Sequence, residues 1–223
     1  MILSGAGRYR DPWHPFPQTS HALAGIAEAQ GYGVRICDDT DAALTRLAGI
    51  DLLIVNTGDP WQSHVDGATD EPTQQALAEA SASLDEALAR GLAVLAVHQA
   101  AASLRDYPGY RTALGASWEE GTSWHPPLGA AKVLVASGHR VTAGLSDFTL
   151  TDERYTDLVL TADLQPVAWH VEGGRAHPLV WARELGASRL VYDALGHDER
   201  SYASEDHRRL LARAISWLGA AGA

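Results

Sequence analysis

Val94-Leu95-Ala96-Val97-His98-Gln99-Ala100 is a run of four apolar residues that stops on a His-Gln pair. The apolar part reads as a strand buried on both faces, and the polar pair as a sharp turn at its carboxyl end. In an open α/β sheet such a turn presents catalytic side chains, because ligands bind beyond the carboxyl ends of the strands. His98 is therefore the first candidate for function. Its imidazole titrates near neutral pH and can serve as general base, general acid or metal ligand. A His after an apolar strand is more often a hydrogen-bonded structural residue; the turn position is what favours function here.

Outward from this stretch, short β-like runs alternate with helical ones. Residues 1–4, 34–37, 52–57 and 93–97 are expected strands. Residues 19–30, 41–47 and 71–90 are expected helices, with Thr19 or Ser20 capping the first and Pro72 opening the third. Apolar strands alternating with helices predict a mainly parallel sheet covered on both faces. The second half is less regular. It has a loop over 118–128, an extended excursion over 147–160, short strands at 132–136, 167–171, 179–181 and 190–193, and a final helix over 204–218. No repeat or linker interrupts the chain, so one domain over residues 1–223 is expected.

Composition narrows the function. Hydrophobic residues make up 46% of the chain and charged ones 20%, enough for a full core and against disorder. The net charge of −11 predicts no nucleic-acid partner and no anionic membrane surface. No apolar run reaches the length of a membrane span, and the first residues lack the basic region of a signal peptide. Cys37 is the only cysteine, which rules out an internal disulfide and a thiolate cluster and suits a cytoplasmic location.

The loops beyond the expected strands carry the candidate chemistry. The first holds Gly5, Gly7, Arg8, Trp13 and His14, but neither a dinucleotide fingerprint nor a P-loop lysine. Arg8 would hold an oxygen-rich ligand, Trp13 would stack on a flat face, and His14 would exchange a proton. The second loop offers Asp59, Trp61 and His64; an Asx turn around Asp59 is the structural alternative. Further on come His125 beside Trp124, the group Asp152-Glu153-x-Tyr155, His170 beside Trp169, and His197 after Gly196. If residues 149–155 are extended, Asp152 and Glu153 face opposite ways, so one pocket receives only one of them. That argues against a paired-carboxylate glycosidase. Aromatic faces beside polar groups suit a carbohydrate. Several His with a Glu would equally hold zinc or a related divalent metal, though no tight ligand spacing such as H-E-x-x-H is present.

Ser4-Gly5-Ala6-Gly7-Arg8-Tyr9 with Trp13-His14, Val97-His98, Asp152-Glu153-x-Tyr155, Pro178-x-x-Trp181 and Leu195-Gly196-His197, in this order, resemble the ThuA-like family. This is the trehalose-utilisation group of the class I glutamine amidotransferase-like fold. The resemblance implies a flavodoxin-like, three-layer α/β/α architecture with a mainly parallel central sheet. It also implies disaccharide catabolism, in some members through 3-keto sugars. The amidotransferase fold carries a cysteine three residues before a His-Gln pair, and Leu95 stands in that place here, so glutaminase chemistry is not expected. One departure is Gly186-Ala187-Ser188-Arg189, where the family has a Gly directly before the Arg.

The leading expectation is a sugar-active hydrolase or lyase of the cytoplasm. In it His98, Glu153 and His197 are catalytic, while Arg8, Trp13, His14, Asp59, Trp61, His125, Tyr155 and His170 bind a small-molecule carbohydrate. A divalent metal such as zinc is the cofactor open at this point. A non-catalytic sugar-binding or regulatory protein and a His/carboxylate metal hydrolase are the alternatives. The exposed aromatic loops would serve a homo-oligomer interface as readily as a ligand.

Overall fold

The computed structural model describes residues 1–62 and 71–220; His64 lies outside them. In chain order the elements are β1 (Ile2–Ser4), α1 (Phe16–Ala29), β2 (Ile36–Cys37), α2 (Thr40–Leu44), β3 (Leu52–Asn56), α3 (Gln74–Arg90) and β4 (Ala93–Val97). There follow α4 (Pro108–Leu114), β5 (Ala116–Ser117), β6 (Gly129–Val135), β7 (Phe148–Asp152), β8 (Val159–Leu160), β9 (Pro166–Glu172), β10 (Arg175–Leu185), β11 (Ser188–Asp193), α5 (Glu199–Ala203) and α6 (Glu205–Gly219).

The main sheet runs β2-β1-β3-β4-β11-β10-β9-β6-β7. From β2 to β11 every pairing is parallel; from β11 outward every pairing is antiparallel. The patterns explain the division. β3 and β4 are buried throughout and apolar apart from Asn56 at the end of β3, as strands covered on both faces must be, whereas β7 alternates buried and exposed. One helical layer gathers α1, α5 and α6, and another gathers α2, α3 and α4. This is the expected α/β fold, extended by an antiparallel half.

Three local expectations change. α1 begins at Phe16, with proline in its first turn. Thr19 and Ser20 lie inside it and accept hydrogen bonds from the Asn56 side chain, each at 2.9 Å. They tie the helix to the end of β3 rather than cap it. α3 starts after Pro72, with Thr73 accepting from the Ala76 amide at 3.1 Å. The two short strands expected around residues 167–181 are one long hairpin. Gly173 and Gly174, both with positive φ (57° and 77°), make its two-residue turn.

The turn after β4 is sharper than the apolar run alone suggests. His98 has φ +50°, a left-handed conformation uncommon outside glycine. It is therefore His98 that occupies the elbow. Leu95 sits mid-strand, fully buried, paired with Ile54 on one side and Val191 on the other. The position read as that of a lost nucleophile is a core position.

Candidate metal centre

Four side chains from four separate loops converge at the carboxyl end of the parallel strands. His14 comes from the loop before α1, His98 from the turn after β4, Glu153 from just beyond β7, and His197 from just beyond β11. One ligating atom from each lies within 4.8 Å of every other. His14 Nε2 is 3.1 Å from His98 Nε2, and Glu153 Oε2 is 3.5 Å from His98 Nε2 and 3.3 Å from His197 Nδ1.

The hydrogen-bond partners assign the tautomers. His98 Nδ1 faces the Ala194 carbonyl at 2.8 Å, so this nitrogen carries the proton and Nε2 carries a lone pair. His14 Nδ1 lies 2.7 and 2.8 Å from the two Asp11 carboxylate oxygens and donates to them, leaving its Nε2 with a lone pair as well. The Tyr155 hydroxyl donates its one proton to Gln99 Oε1 at 2.7 Å, so its approach to His98 Nε2 at 3.1 Å supplies none. His197 Nδ1 is buried and has no hydrogen-bond partner, despite its closeness to Glu153. The His14 and His98 Nε2 lone pairs thus face each other beside the Glu153 carboxylate in a buried space, an arrangement that a bound cation or a shared proton would relieve. Asp11 orients His14 and the Ala194 carbonyl orients His98, as outer partners orient metal-bound imidazoles.

The charges agree with this geometry. Burial opposes ionisation of Glu153, but His197 and His98 outweigh it and hold the carboxyl far below its ordinary range. Burial lowers the His14 pKa, against the Asp11 bond that raises it. For His197 burial also disfavours the charged form, but Glu153 prevails and raises its pKa. Three imidazoles and one carboxylate form a donor set suited to Zn²⁺ or a neighbouring first-row divalent ion.

Above the cluster opens a cavity of about 440 Å³ lined by Trp13, Gln62, Gln99, Trp118, His125 and Tyr155 together with three of the four cluster residues. No Lys or Arg is among its described lining residues. A larger cleft of about 870 Å³, with Tyr32, Asp51, Arg90, Glu184 and Arg189 in its wall, gathers no comparable set of ligating atoms. The chemistry, not the volume, marks the smaller cavity as the site.

The sequence profile of the family described as trehalose utilisation, ThuA, matches residues 2–218. The chain belongs to the ThuA family. Among solved structures it is similar to a ThuA-like protein from Parabacteroides merdae, at 16% identity and a TM-score of 0.75, covering 98% of this chain and 88% of that one. A ThuA-like protein from Bacteroides uniformis gives 16% identity and a TM-score of 0.72, covering 97% and 89%. A β-galactosidase from Rahnella sp. R3 shares the fold over 30% of its own length and 95% of this chain, at 17% identity and a TM-score of 0.57. No curated protein sequence matches.

Within this ThuA-family chain the structure sorts the residues singled out from sequence. His98, Glu153, His197 and His14 meet in the cluster, and Trp13, His125 and Tyr155 line the cavity. Arg8 does not. It is buried, with Nε and Nη2 on Asp41 at 2.9 Å each and Nη1 on Asp106 at 2.7 Å. Asp59 is buried too, taken up by Arg105 at 2.9 Å and the Trp61 amide at 2.9 Å. Trp61 lies over the Arg105 guanidinium and donates to Asp106 rather than lining the cavity. His170 stacks on His177 and bonds the Tyr155 carbonyl at 3.0 Å, behind the site. These loops use polar residues to pack against one another, and sequence position cannot distinguish that use from ligand binding. Asp152 turns away from Glu153, as expected of neighbours in an extended segment. Asp11 also belongs to the site, and a carboxylate three residues before His14 is the sequence signal for it. Gln62, Gln99 and Trp118 join the cavity wall without any such local signal.

Arg8 provides a test of this sorting. Arg8→Ala strands two carboxylates in a mostly buried network, and should cost about 3 kcal/mol of stability. That is a fall in Tm of roughly 6–12 °C for a chain of this size. Ligand affinity at the cavity should be unchanged. A large loss of sugar or metal binding, with little change in Tm, would return Arg8 to the site.

Proposed function

We propose that this ThuA-family protein is a divalent-metal-dependent enzyme acting on an uncharged sugar, and that its reaction is elimination at a keto-glycoside. The observation that carries the reading is the convergence of imidazole and carboxylate lone pairs from His14, His98, Glu153 and His197 on one buried point. The family's description, trehalose utilisation, supports a disaccharide. The cavity supports an uncharged one, since its aromatic walls offer stacking surface while its described lining holds no Lys or Arg for a phosphate.

A divalent ion held by the cluster would polarise a carbonyl oxygen and favour negative charge developing there. The residues around it divide the remaining tasks. Trp13 and Trp118 offer ring faces to the sugar, and Gln62 and Gln99 offer hydrogen bonds to hydroxyls. His125 Nδ1 faces the Pro126 carbonyl at 3.0 Å and carries its proton, which leaves Nε2 as the basic nitrogen. In a 3-keto glycoside, His125 takes the proton from C2, beside the carbonyl. The C–H electron pair becomes the C1–C2 double bond, the glycosidic C1–O bond breaks, and the departing alkoxide recovers the proton from His125. Neither oxidant nor water is consumed. Tyr155 stays protonated at working pH, because burial first and nearby anions second raise its pKa well above the ordinary value. Its hydroxyl is thus a hydrogen-bond group and not a base.

Conversion of 3-keto-disaccharides should be lost on complete chelation and restored by Zn²⁺ or Mn²⁺. Full turnover by metal-free protein would overturn the metal part. Tight sugar binding with no product in the metal-loaded protein would instead make it a binding protein.

A further inference from the structure

Ser201, His207 and Asp193 are connected in the manner of a Ser-His-Asp triad, yet all three are fully buried. No substrate reaches the hydroxyl, so the arrangement must serve something other than nucleophilic attack. His207 Nε2 lies 2.9 Å from Asp193 Oδ2, and His207 Nδ1 lies 2.9 Å from Ser201 Oγ. Ser201 Oγ donates to Asp152 Oδ2. Because the hydroxyl spends its one proton on Asp152, its oxygen must accept from His207 Nδ1–H. Nε2 faces a carboxylate and must also donate, so the ring is an imidazolium. Burial opposes that charge, but Asp193 and Asp152 prevail and raise the His207 pKa.

The far end of this chain reaches the metal cluster. Asp152 accepts from the Gly196 amide at 2.8 Å and the His197 amide at 3.2 Å, and its own residue is followed by Glu153. Asp193 accepts from the Leu195 amide at 3.0 Å. Two carboxylates therefore clamp the turn that carries His197. That turn has little other freedom: Gly196 has φ +116°, and a Cβ there would meet Val97 Cγ1 at 2.9 Å and the Tyr202 hydroxyl at 2.8 Å.

We infer that the buried chain Asp193–His207–Ser201–Asp152 is a positioning device that fixes the Gly196-His197 turn and Glu153 so that their side chains face each other across the centre. The inference rests on the metal reading for one of its two readouts. The test is made on the full chain with Ser201→Ala and His207→Gln, with Arg8→Ala as a destabilised control whose relay is intact. Zn²⁺ affinity is measured by competitive titration, and amide hydrogen exchange is followed at Gly196 and His197. Both relay variants should bind Zn²⁺ up to about 10-fold more weakly than wild type, the low end of the range for a ligand's own hydrogen-bond partner, because they act one step behind Asp152. They should also exchange faster at those two amides than Arg8→Ala, whose exchange there follows its lower global stability alone and whose Zn²⁺ affinity matches wild type. Unchanged exchange at Gly196 and His197, or a loss of Zn²⁺ affinity no greater than that of Arg8→Ala, overturns the inference. Wild-type protein that binds no Zn²⁺ would sink the metal reading alone; exchange at the two amides then decides the positioning role. Ser201→Ala removes a single oxygen and serves as the folded variant if His207→Gln does not fold.

Discussion

Replacing Glu153 by Gln should abolish tight divalent-metal binding while leaving the fold in place. The two side chains have nearly the same shape, so the cavity wall shared with Tyr155 and His125 survives. What disappears is the one anion among the four converging groups. Its loss should exceed the 10–100-fold effect usual for outer partners, so that affinity falls by more than about 100-fold. The same variant has a signature without metal. Glu153 is held below its ordinary value of 4.5, so its ionised form stabilises the fold above that pH and fades only as pH falls toward the depressed folded value. His197 is raised above 6.5, so its contribution is complete below that pH and is lost as pH rises through the folded value. The Tm difference between metal-free wild type and Glu153→Gln should therefore be largest between these limits. A flat difference across the whole pH range would mean that the two groups do not pair.

The second large effect is at His98, where backbone and chemistry can be separated. Its φ of +50° is costly for most side chains and tolerable for asparagine. His98→Asn should keep Tm close to wild type but remove one of the four ligating groups, so that divalent-metal affinity falls at least about 10-fold and metal-dependent turnover falls with it. His98→Val loses the ring and adds a β-branched side chain in a left-handed turn, and should cost at least about 2 kcal/mol besides. Catalysis retained in His98→Asn would remove the elbow from the mechanism. Equal Tm for the Asn and Val variants would show that the turn relaxes without cost.

How much of this was legible in the sequence depended on the kind of signal. β3 and β4 could be read because strands buried on both faces are apolar throughout. The His-Gln pair after β4 marked the elbow because polarity changes abruptly there. Of the β9–β10 hairpin, β9 is legible nearly whole as 167–171, whereas β10 shows only its centre, 179–181, because Arg175, His177, Arg183 and Glu184 interrupt its apolar pattern. Residues at loop starts divided into two groups. His14, His98, Glu153 and His197 converge, while Arg8 and Asp59 pair with Asp41, Asp106 and Arg105 instead. Nothing local separates a polar residue that waits for a ligand from one satisfied by another loop. Only the tertiary arrangement decides it, through partners distant in sequence. The Asp193–His207–Ser201–Asp152 chain escaped for the same reason, its members being spread over four elements.

The measurement that bears most directly on the central claim is the metal content of tag-free protein by mass spectrometry, alongside Glu153→Gln prepared identically. The account predicts about one divalent ion per chain in wild type, retained through dialysis, and almost none in the variant. Wild-type protein that takes up no ion after exposure to Zn²⁺ and Mn²⁺, or a variant that holds as much as wild type, would contradict it.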